Sequence, residues 1–336
     1  MIVEATSPCR IDLAGGTLDI YPLYLFEEGG ITVNAGVSIR SHVRLETRDD
    51  DEIHLLPQEG LEPLVVASVE QLPLGGPLDL ISRIVRFYPP REGVNVHTSC
   101  EAPRGSGLGA SSSLLVSLSG ALNELNETGF SREELIDWGA ELEAQSIRTA
   151  TGKQDYYPAM YGGVNALWFE VRGARVEPLV VRDETLHALE ARLIISYTGI
   201  SHFSGATNWD MMRNYIEDVG ETREHMRQIK LTALRMREVL HAGDLDAFAE
   251  VLNHEWQNRR SLAEGVSTPE IDAMMAAAAD AGALASKLCG AGGGGCMITF
   301  VREGTRAAVC AALEGCGAQV IPYQLARGGL EVRRLE

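Results

Sequence analysis

A stretch rich in glycine and serine, Pro103-Arg-Gly-Ser-Gly-Leu-Gly-Ala-Ser-Ser-Ser113, lies between a predicted strand and a predicted helix. Glycines let the backbone approach a phosphate closely, and the start of a helix offers unpaired N–H groups at the positive end of its dipole. Serine hydroxyls can coordinate a hard cation or donate hydrogen bonds to phosphate oxygens. The pattern predicts an anion-binding turn, for which a plain glycine turn capped by serine is the structural alternative.

Two other phosphate-binding motifs fit the sequence poorly. The pattern G-x-x-x-x-G-K-[ST] is absent, because Gly152-Lys153 is followed by Gln154 and Ile147 stands where the first glycine should be. Residues 105–110 nearly satisfy G-x-G-x-x-G/A, the dinucleotide-binding pattern. Pro103-Arg104 intervenes after the strand, however, and the surrounding chain lacks βαβ alternation, so the sequence disfavours a dehydrogenase.

The elements that must position this turn mix strands and helices without regular alternation, which predicts an α+β fold. The pattern Ser131-x-x-Glu134 matches a capping box and predicts the start of one of the helices. Predicted strands are Thr32–Ile39, His42–Thr47, Gly93–Thr98, Gly162–Val171, Arg192–Tyr197, Ala283–Leu288, Cys296–Val301 and Ala318–Pro322. Predicted helices are Pro77–Tyr88, Leu114–Leu125, Ser131 to about Arg148, three or four between Thr207 and Ala281, and Thr305–Glu314.

Composition limits the partners that we expect. The chain has 336 residues, 45% of them hydrophobic, and a net charge of −18, which repels nucleic acid and anionic membranes. No signal peptide or membrane span is visible, and the six cysteines form no CxxC pair. We therefore expect a soluble, cytoplasmic monomer or homodimer with reduced, mostly buried thiols and a small-molecule substrate.

Three motifs together resemble the GHMP kinase superfamily: residues 8–19 (Pro-Cys-Arg-Ile-Asp-Leu-Ala-Gly-Gly-Thr-Leu-Asp), the stretch Pro103–Ser113, and residues 287–297 (Lys-Leu-Cys-Gly-Ala-Gly-Gly-Gly-Gly-Cys-Met). The resemblance implies a GHMP kinase fold with a ribosomal S5 domain 2-like N-terminal half, residues 1–185, and a ferredoxin-like C-terminal half, residues 186–336. It places the active site between the two halves. It also implies that Gly292–Gly295 support the nucleotide turn.

Within the superfamily, residues 152–163 (Gly-Lys-Gln-Asp-Tyr-Tyr-Pro-Ala-Met-Tyr-Gly-Gly) resemble the catalytic segment of D-glycero-D-manno-heptose 7-phosphate kinases and L-fucokinases. Arg10 and Asp19 stand nine apart, as in galactokinases and heptose kinases. The heptose-kinase form has three glycines and then Thr-Asp, whereas Gly15-Gly16-Thr17-Leu18 precedes Asp19 here. The resemblance implies phosphorylation of a sugar or sugar phosphate, with the anomeric hydroxyl as acceptor and heptose 7-phosphate as the first named substrate.

The resemblance also implies roles for individual residues. Asp155 would be the catalytic base, with Arg10 beside the transferring phosphoryl group and Lys153 contributing charge; a helix cap for Asp155 and a solvated Lys153 are the structural alternatives. Asp19 would bind substrate hydroxyls, together with Gly16, Thr17 and Gly163. A second anionic group on the substrate could meet Arg83, Arg86, Arg104 or Arg148.

ATP and Mg²⁺ are the cofactors that the resemblance implies. Ser111 and Glu143 would be the metal ligands, with Glu141 as the alternative and an exposed helical glutamate as the structural reading. The residues expected to hold the nucleotide are Pro103, Gly105, Ser106, Gly107, Leu108, Gly109, Ala110, Ser111 and Ser112.

Two other functions stay open at this point. One is another GHMP small-molecule kinase, namely an L-fucokinase, galactokinase, glucuronokinase or mevalonate-type enzyme. The other is a regulator that senses sugar and ATP on the same fold without catalysis, since function resides in sites rather than folds.

Overall fold

The computed structural model describes residues 1–58, 60–200 and 204–335, and it contains two sheets. The first has the order β12-β1-β2-β5-β3-β4, with β6 added beside β2 and β7 beside β6. All its pairings are antiparallel except β3 with β5. Its strands are β1 (Ile2–Ala14), β2 (Gly30–Thr47), β3 (Ile53–Pro57), β4 (Leu64–Val66), β5 (Val94–Cys100), β6 (Val164–Glu170), β7 (Gly173–Pro178) and β12 (Glu331–Leu335).

The second sheet is antiparallel, with the order β11-β8-β10-β9. Its strands are β8 (Leu193–Tyr197), β9 (Ala283–Leu288), β10 (Cys296–Val301) and β11 (Gln319–Ile321). The helices are α1 (Leu23–Phe26), α2 (Asp79–Phe87), α3 (Ala110–Asn126), α4 (Arg132–Ile147), α5 (Tyr156–Tyr161), α6 (Asp183–Arg192), α7 (Ser204–Ile216), α8 (Thr222–Ala242), α9 (Leu245–Arg259), α10 (Pro269–Asp280) and α11 (Arg306–Gly315).

Three hydrophobic cores hold these elements together. One lies between the first sheet and helices α2–α5. A second joins β1 and β2 to the second sheet and to α8 and α9, and a third covers the other face of the second sheet with α7, α10 and α11. Strand β10 shows the alternation that this requires, because Ile298 and Phe300 enter the second core whereas Met297 and Val301 enter the third.

Strand β1 passes from a half-buried sheet face into the packed region between the sheets. Its first five residues alternate between partly exposed and buried, but every residue from Ser7 to Ala14 is buried. The register with β2 shifts between Pro8 and Cys9 and again between Asp12 and Ala14, and such shifts bend a strand and redirect its side chains. This course takes two charged residues of the strand, Arg10 and Asp12, into the interior.

The α+β class and the GHMP kinase fold are confirmed, and the predicted elements mostly lie where the sequence places them. The separation of Thr32–Ile39 from His42–Thr47 was wrong, because β2 runs unbroken through both. Strands β1, β3, β4, β7 and β12 and helices α1 and α6 were not predicted; they are short or carry many polar residues. The boundary at residue 185 stays a prediction, and it falls within α6.

Two further expectations concern the whole chain. All six cysteines are free thiols, but only Cys9, Cys289 and Cys296 are buried, and Cys316 is exposed. Within the described ranges, no helix combines the length and the hydropathy needed to cross a membrane.

The capping box at the start of α4 is present and gives a first prediction. Ser131 Oγ accepts from the Glu134 N–H, and the Glu134 carboxylate accepts from the Ser131 N–H. Ser131→Ala should lower the free energy of unfolding by about 1 kcal/mol, because it leaves one N–H of the first turn without its partner. Urea denaturation measures this, with Ser68→Ala as the control, since Ser68 precedes a short 3-10 turn without a side-chain cap bond. Equal losses in both variants would contradict the role of the cap.

Candidate active site

A cavity of about 280 Å³ lies where β1, the start of α3, the start of α5 and the Gly290–Gly295 turn meet. Four charged side chains line it: Arg10, Asp19, Glu143 and Asp155. The other lining residues are Thr17, Ile20, Gly105, Ser106, Gly107, Gly109, Ala110, Ser111, Ile147, Thr151, Gly152, Gln154, Gly205, Asn208, Gly290 and Ala291. Among these described residues three carboxylates face one guanidinium, so the cavity by itself disfavours an anion.

The glycine-serine turn, Gly105–Ser113, opens helix α3 at the edge of this cavity. Gly109 is the residue before the helix and has φ 72°, a left-handed conformation that glycine adopts without strain. The helix is 17 residues long, so its unpaired N–H groups and dipole favour negative charge at this end. The turn thus supplies backbone positive potential beside acidic side chains.

The glycine-rich third motif supports this turn from behind. Cys296 N donates to the Ser106 carbonyl at 2.6 Å, and a Cβ on Gly107 would lie 2.5 Å from the Cys289 carbonyl oxygen. A Cβ on Gly295 would likewise lie 2.7 Å from the Ser106 carbonyl oxygen, so side chains on Gly107 and Gly295 would push the two turns apart. The family resemblance implied this supporting role for Gly292–Gly295, and the packing of Gly295 against residues 105 and 106 is consistent with it.

Arg10 and Asp155 form an ion pair at the floor of the cavity. Arg10 Nε donates to Asp155 Oδ1 at 2.7 Å, and Nη2 approaches the same oxygen at 2.5 Å. A third donor, Nη1, binds the Gly107 carbonyl, and the Arg10 backbone N–H donates to the Leu108 carbonyl at 2.9 Å. One arginine therefore joins the predicted base to the glycine-serine turn.

The environment of Asp155 favours a base rather than a helix cap. Its side chain makes no capping bond to α5 and retains 22% exposure, whereas that of Arg10 retains 3%. Burial raises the pKa of Asp155, and the adjacent Arg10 opposes that rise. A carboxylate with a raised pKa that still reaches the cavity is suited to accepting a proton.

Glu143 is buried with hydroxyl groups as its partners. Ser111 Oγ donates to Oε1 at 2.5 Å and Ser112 Oγ to Oε2 at 3.2 Å, and the Tyr156 hydroxyl also donates to Oε2. No cationic side chain pairs with it among the described residues, and burial raises the pKa of Glu143. A buried carboxylate with nearby hydroxyl oxygens and no cationic partner among the described residues fits a divalent cation. The alternative reading of Glu143 as an exposed helical glutamate is excluded, because the residue is 6% exposed.

Asp19 lines the cavity and has one carboxylate oxygen without a hydrogen-bond partner among the described residues. Gln154 N donates to Oδ2 at 3.0 Å, while Oδ1 has no hydrogen-bond partner among the residues that the structure describes. The residue is 3% exposed, and burial raises the pKa of Asp19 to about 6, assisted by the nearby charge of Asp155. Gly152 approaches Asp19 so closely that a Cβ there would overlap the carboxylate. A buried oxygen without a partner is suited to a ligand hydroxyl.

Other residues singled out from the sequence lie beside the cavity or away from it. Lys153 turns toward α4, where its ammonium binds Asp137 Oδ1 at 2.8 Å, and it does not line the cavity. Gly163 pairs with backbone groups of Gly36 and Ala326, outside the lining. Gly16, Pro103, Leu108 and Ser112 are also not among the lining residues.

Candidates for a second anionic group are also absent from the described lining. Arg83 pairs with Asp79, Arg86 donates to the Leu72 carbonyl, and Arg104 and Arg148 are exposed. The alternative metal ligand, Glu141, is exposed as well. No group of three or more His, Cys, Asp or Glu residues suited to a metal ion occurs in the part of the chain that the structure describes.

Sequence reasoning missed several residues of the site. Gln154 and Tyr156 flank Asp155 and bind Asp19 and Glu143. A cluster of four buried charges, Asp12, Glu255, Arg259 and Lys287, lies behind the cavity. For Asp12 and Lys287 the available signal was a charge within a mainly apolar stretch, such as Asp12 between Ile11 and Leu13, whereas the polar neighbours of Glu255 and Arg259 gave no such signal.

Family models match both halves of the chain. The model described as GHMP kinases N terminal domain matches residues 78–163, and the model described as GHMP kinases C terminal matches residues 236–319. The first match contains the glycine-serine turn, Glu143 and Asp155, and the second contains Arg259 and the Gly290–Gly295 turn.

Individual proteins are similar over most of the chain. A D-glycero-alpha-D-manno-heptose 7-phosphate kinase of Campylobacter jejuni is 30% identical over 307 residues, covering 89% of each chain. The L-fucokinase/L-fucose-1-P guanylyltransferase of Bacteroides fragilis is 26% identical over 335 residues, which span 90% of this chain and 35% of that longer protein. A crystal structure of a D-glycero-D-manno-heptose 1-phosphate kinase from Bacteroides thetaiotaomicron superposes with a TM-score of 0.82 at 25% identity, covering 99% of both chains.

The raised pKa of Asp19 predicts a stability effect with a definite pH dependence. Because the pKa in the native state, about 6, exceeds that in the unfolded chain, ionisation of Asp19 destabilises the native state as pH rises. Asp19→Asn should therefore raise the melting temperature at pH 8, and the gain should shrink as pH falls from 6 to 4. Calorimetry across this range measures the difference from the unsubstituted protein.

Asp12→Asn is the matched control, because Lys287 and Arg259 outweigh burial and lower the pKa of Asp12. This variant should lose stability at pH 8. A melting temperature that falls in Asp19→Asn as it does in Asp12→Asn would contradict the account of Asp19.

Proposed function

The chain belongs to the GHMP kinase family, and on that premise we propose that it transfers the γ-phosphoryl group of ATP to the anomeric hydroxyl of a sugar or sugar phosphate. D-glycero-D-manno-heptose 7-phosphate is the first acceptor to test, because the Campylobacter relative is named for that substrate. The observation that carries the proposal is the meeting of Asp155, Asp19 and Glu143, each with a different partner, in one cavity beside the glycine-serine turn.

The surroundings of each carboxylate suit it to a different task in phosphoryl transfer. Asp155, held by Arg10 and open to the cavity, orients the acceptor hydroxyl and receives its proton. Asp19 accepts hydrogen bonds from the acceptor through its free oxygen. The backbone of residues 105–111 binds the nucleotide phosphates, and Arg10 offsets charge on the transferring group.

Glu143 and Ser111 are the residues that would hold Mg²⁺. When bound, the ion supplies positive charge that neutralises phosphate oxygens and aligns the triphosphate. Glu143 fits this role because it is buried among hydroxyl groups without a cationic partner in the described structure. The excess of carboxylates in the lining also supports a requirement for a cation, since these carboxylates would repel a triphosphate without one.

The polarity of the acceptor side supports a sugar. The polar residues Thr17, Asp19 and Asn208 line the cavity, and Asp19 Oδ1 has no hydrogen-bond partner among the described residues. A mevalonate-type acceptor has fewer hydroxyl groups for such a surface. A sensor without catalysis would not require the Arg10–Asp155 pair beside Glu143, so the kinase is the stronger proposal.

A panel of acceptors tests this proposal directly. ADP release is measured with heptose 7-phosphate, free heptose, L-fucose, galactose, glucuronic acid and mevalonate, and NMR of the product locates the new phosphate. The free and phosphorylated heptoses are compared because Arg10 is the only cationic side chain in the described lining. Turnover with mevalonate alone, or with no acceptor in the panel, would contradict the proposed reaction.

Asp155→Asn should lower kcat by roughly 100-fold or more, the range typical of a lost general base. The Kd for ATP should change little, because the amide can still accept from Arg10. Asp137→Asn is the control, since Asp137 is 61% exposed and pairs with Lys153 at the surface. Near-normal turnover in Asp155→Asn would show that this carboxylate is not the base.

Ser111→Ala should raise the Mg²⁺ concentration needed for half-maximal activity, because it removes one of the two proposed ligands. Titration of activity with Mg²⁺ at saturating ATP measures this. Ser113→Ala on the same helix is the control, because its hydroxyl donates to the Ser7 carbonyl. An unchanged Mg²⁺ requirement in Ser111→Ala would exclude Ser111 as a ligand.

A further inference from the structure

A cluster of four charged side chains lies behind the cavity, on the interior side of its wall. Asp12 is on β1, Glu255 and Arg259 are on α9, and Lys287 is on β9. Their side chains are 0–1% exposed. Two acidic and two basic groups balance each other, so the cluster is neutral when all four are ionised.

Short contacts join the members of this cluster. Arg259 binds Glu255 Oε1 through Nη2 at 2.8 Å and through Nε at 3.1 Å. Lys287 Nζ lies 3.1 Å from Asp12 Oδ2 and also donates to the Asp12 carbonyl at 2.9 Å. Arg259 Nη2 lies 3.8 Å from Asp12 Oδ2. The cluster thus connects the first sheet to the second through buried ion pairs.

Arg259 uses its remaining donors on the turn that carries Asp19. Nη2 donates to the Gly16 carbonyl at 2.8 Å, and Nη1 donates to Thr17 Oγ1 at 3.2 Å. Nη1 also reaches the Gly290 carbonyl at 3.5 Å, at the start of the turn that supports the nucleotide side. The planar guanidinium suits several acceptors in fixed directions, which a lysine ammonium does less well.

Gly16 fits tightly against the same cluster. A Cβ at this position would lie 2.5 Å from Asp12 Oδ2 and 2.7 Å from Arg259 Nη2. The backbone of the turn therefore packs directly against these two charged groups, at a distance that leaves no room for a side chain on Gly16. Arg259 does not line the cavity, so any effect it has on a ligand must pass through the turn.

We propose that Arg259 is a positioning residue for the acceptor. Held by Glu255, it fixes the Gly15–Asp19 turn, and with it the free oxygen of Asp19, at a set distance from the Gly290–Gly295 turn. The inference rests on the proposed function in one respect, namely that Asp19 binds the acceptor. By this inference, a residue of α9, late in the chain, controls acceptor binding by a turn that directly follows β1 near the start of the chain.

Steady-state kinetics of two variants test this inference. Arg259→Lys keeps the charge but cannot make all the guanidinium bonds. The double variant Glu255→Gln/Arg259→Met removes one charge of each sign, because Arg259→Met alone would leave a buried glutamate unpaired. We expect the KM for the acceptor to rise about 10- to 100-fold in the double variant, the loss typical of hydrogen bonds to a charged group. The KM for ATP should change much less, and Arg259→Lys should lie between.

Arg260→Met is the matched control, because Arg260 follows on the same helix and pairs at the surface with Asp272. It should leave both KM values unchanged. A folded double variant with an unchanged acceptor KM would overturn the inference, as would equal changes in the two KM values. If the double variant does not fold, the KM values of Arg259→Lys for the acceptor and for ATP are compared in the same way.

Hydrogen–deuterium exchange separates this inference from the proposed reaction. Peptides covering residues 15–19 and 288–292 should exchange faster in Arg259→Lys than in the unsubstituted protein or in Arg260→Met. This measurement needs no turnover, so it stands even if no sugar is phosphorylated. Unchanged exchange in both peptides would contradict the positioning role, whatever the substrate.

Discussion

Three carboxylates crowd around one cavity, with Asp19 and Glu143 buried and Asp155 partly exposed, and this is the constraint on which the rest of the site depends. Like charges in a low-dielectric space destabilise one another unless each has its own compensation. Arg10 compensates Asp155, three hydroxyl donors bind Glu143, and a single backbone N–H binds Asp19. The compensation is least complete at Glu143 and Asp19, and these are the groups to which a cation and a polyhydroxyl ligand would add partners.

Much of the fold and part of the site could be predicted because their signals are local. The Ser131 capping box, the glycine-serine turn and the helix that follows each depend on residues close in sequence. The break placed between two strands at residues 40–41 failed, because polar residues there lie in β2, where pairing to β1 and β5 outweighs local preference. Local polarity is a weak guide where a strand has partners on both sides.

The four-charge cluster could not be predicted from local sequence, because its members are far apart in the chain. Asp12 and Lys287 are 275 residues apart, yet they meet behind the cavity. Glu255 and Arg259 have the spacing of an ordinary surface pair on a helix, and only the packing of α9 between the sheets shows that they are buried. Lys153 illustrates the converse, because a charge two residues from the proposed base turns outward to Asp137.

Because the whole chain is acidic, the places where the structure supplies local positive potential determine where a triphosphate can bind. With a net charge of −18, the protein's general field opposes a triphosphate. The α3 N-terminus, the amides of its turn and Arg10 supply local attraction, and Glu143 offers a place for a cation that would supply more. Arg259 adds a positive charge that is already paired with Glu255, so it shapes the turn without attracting the nucleotide. The charges that attract a ligand are thus separate from those that hold the backbone in place.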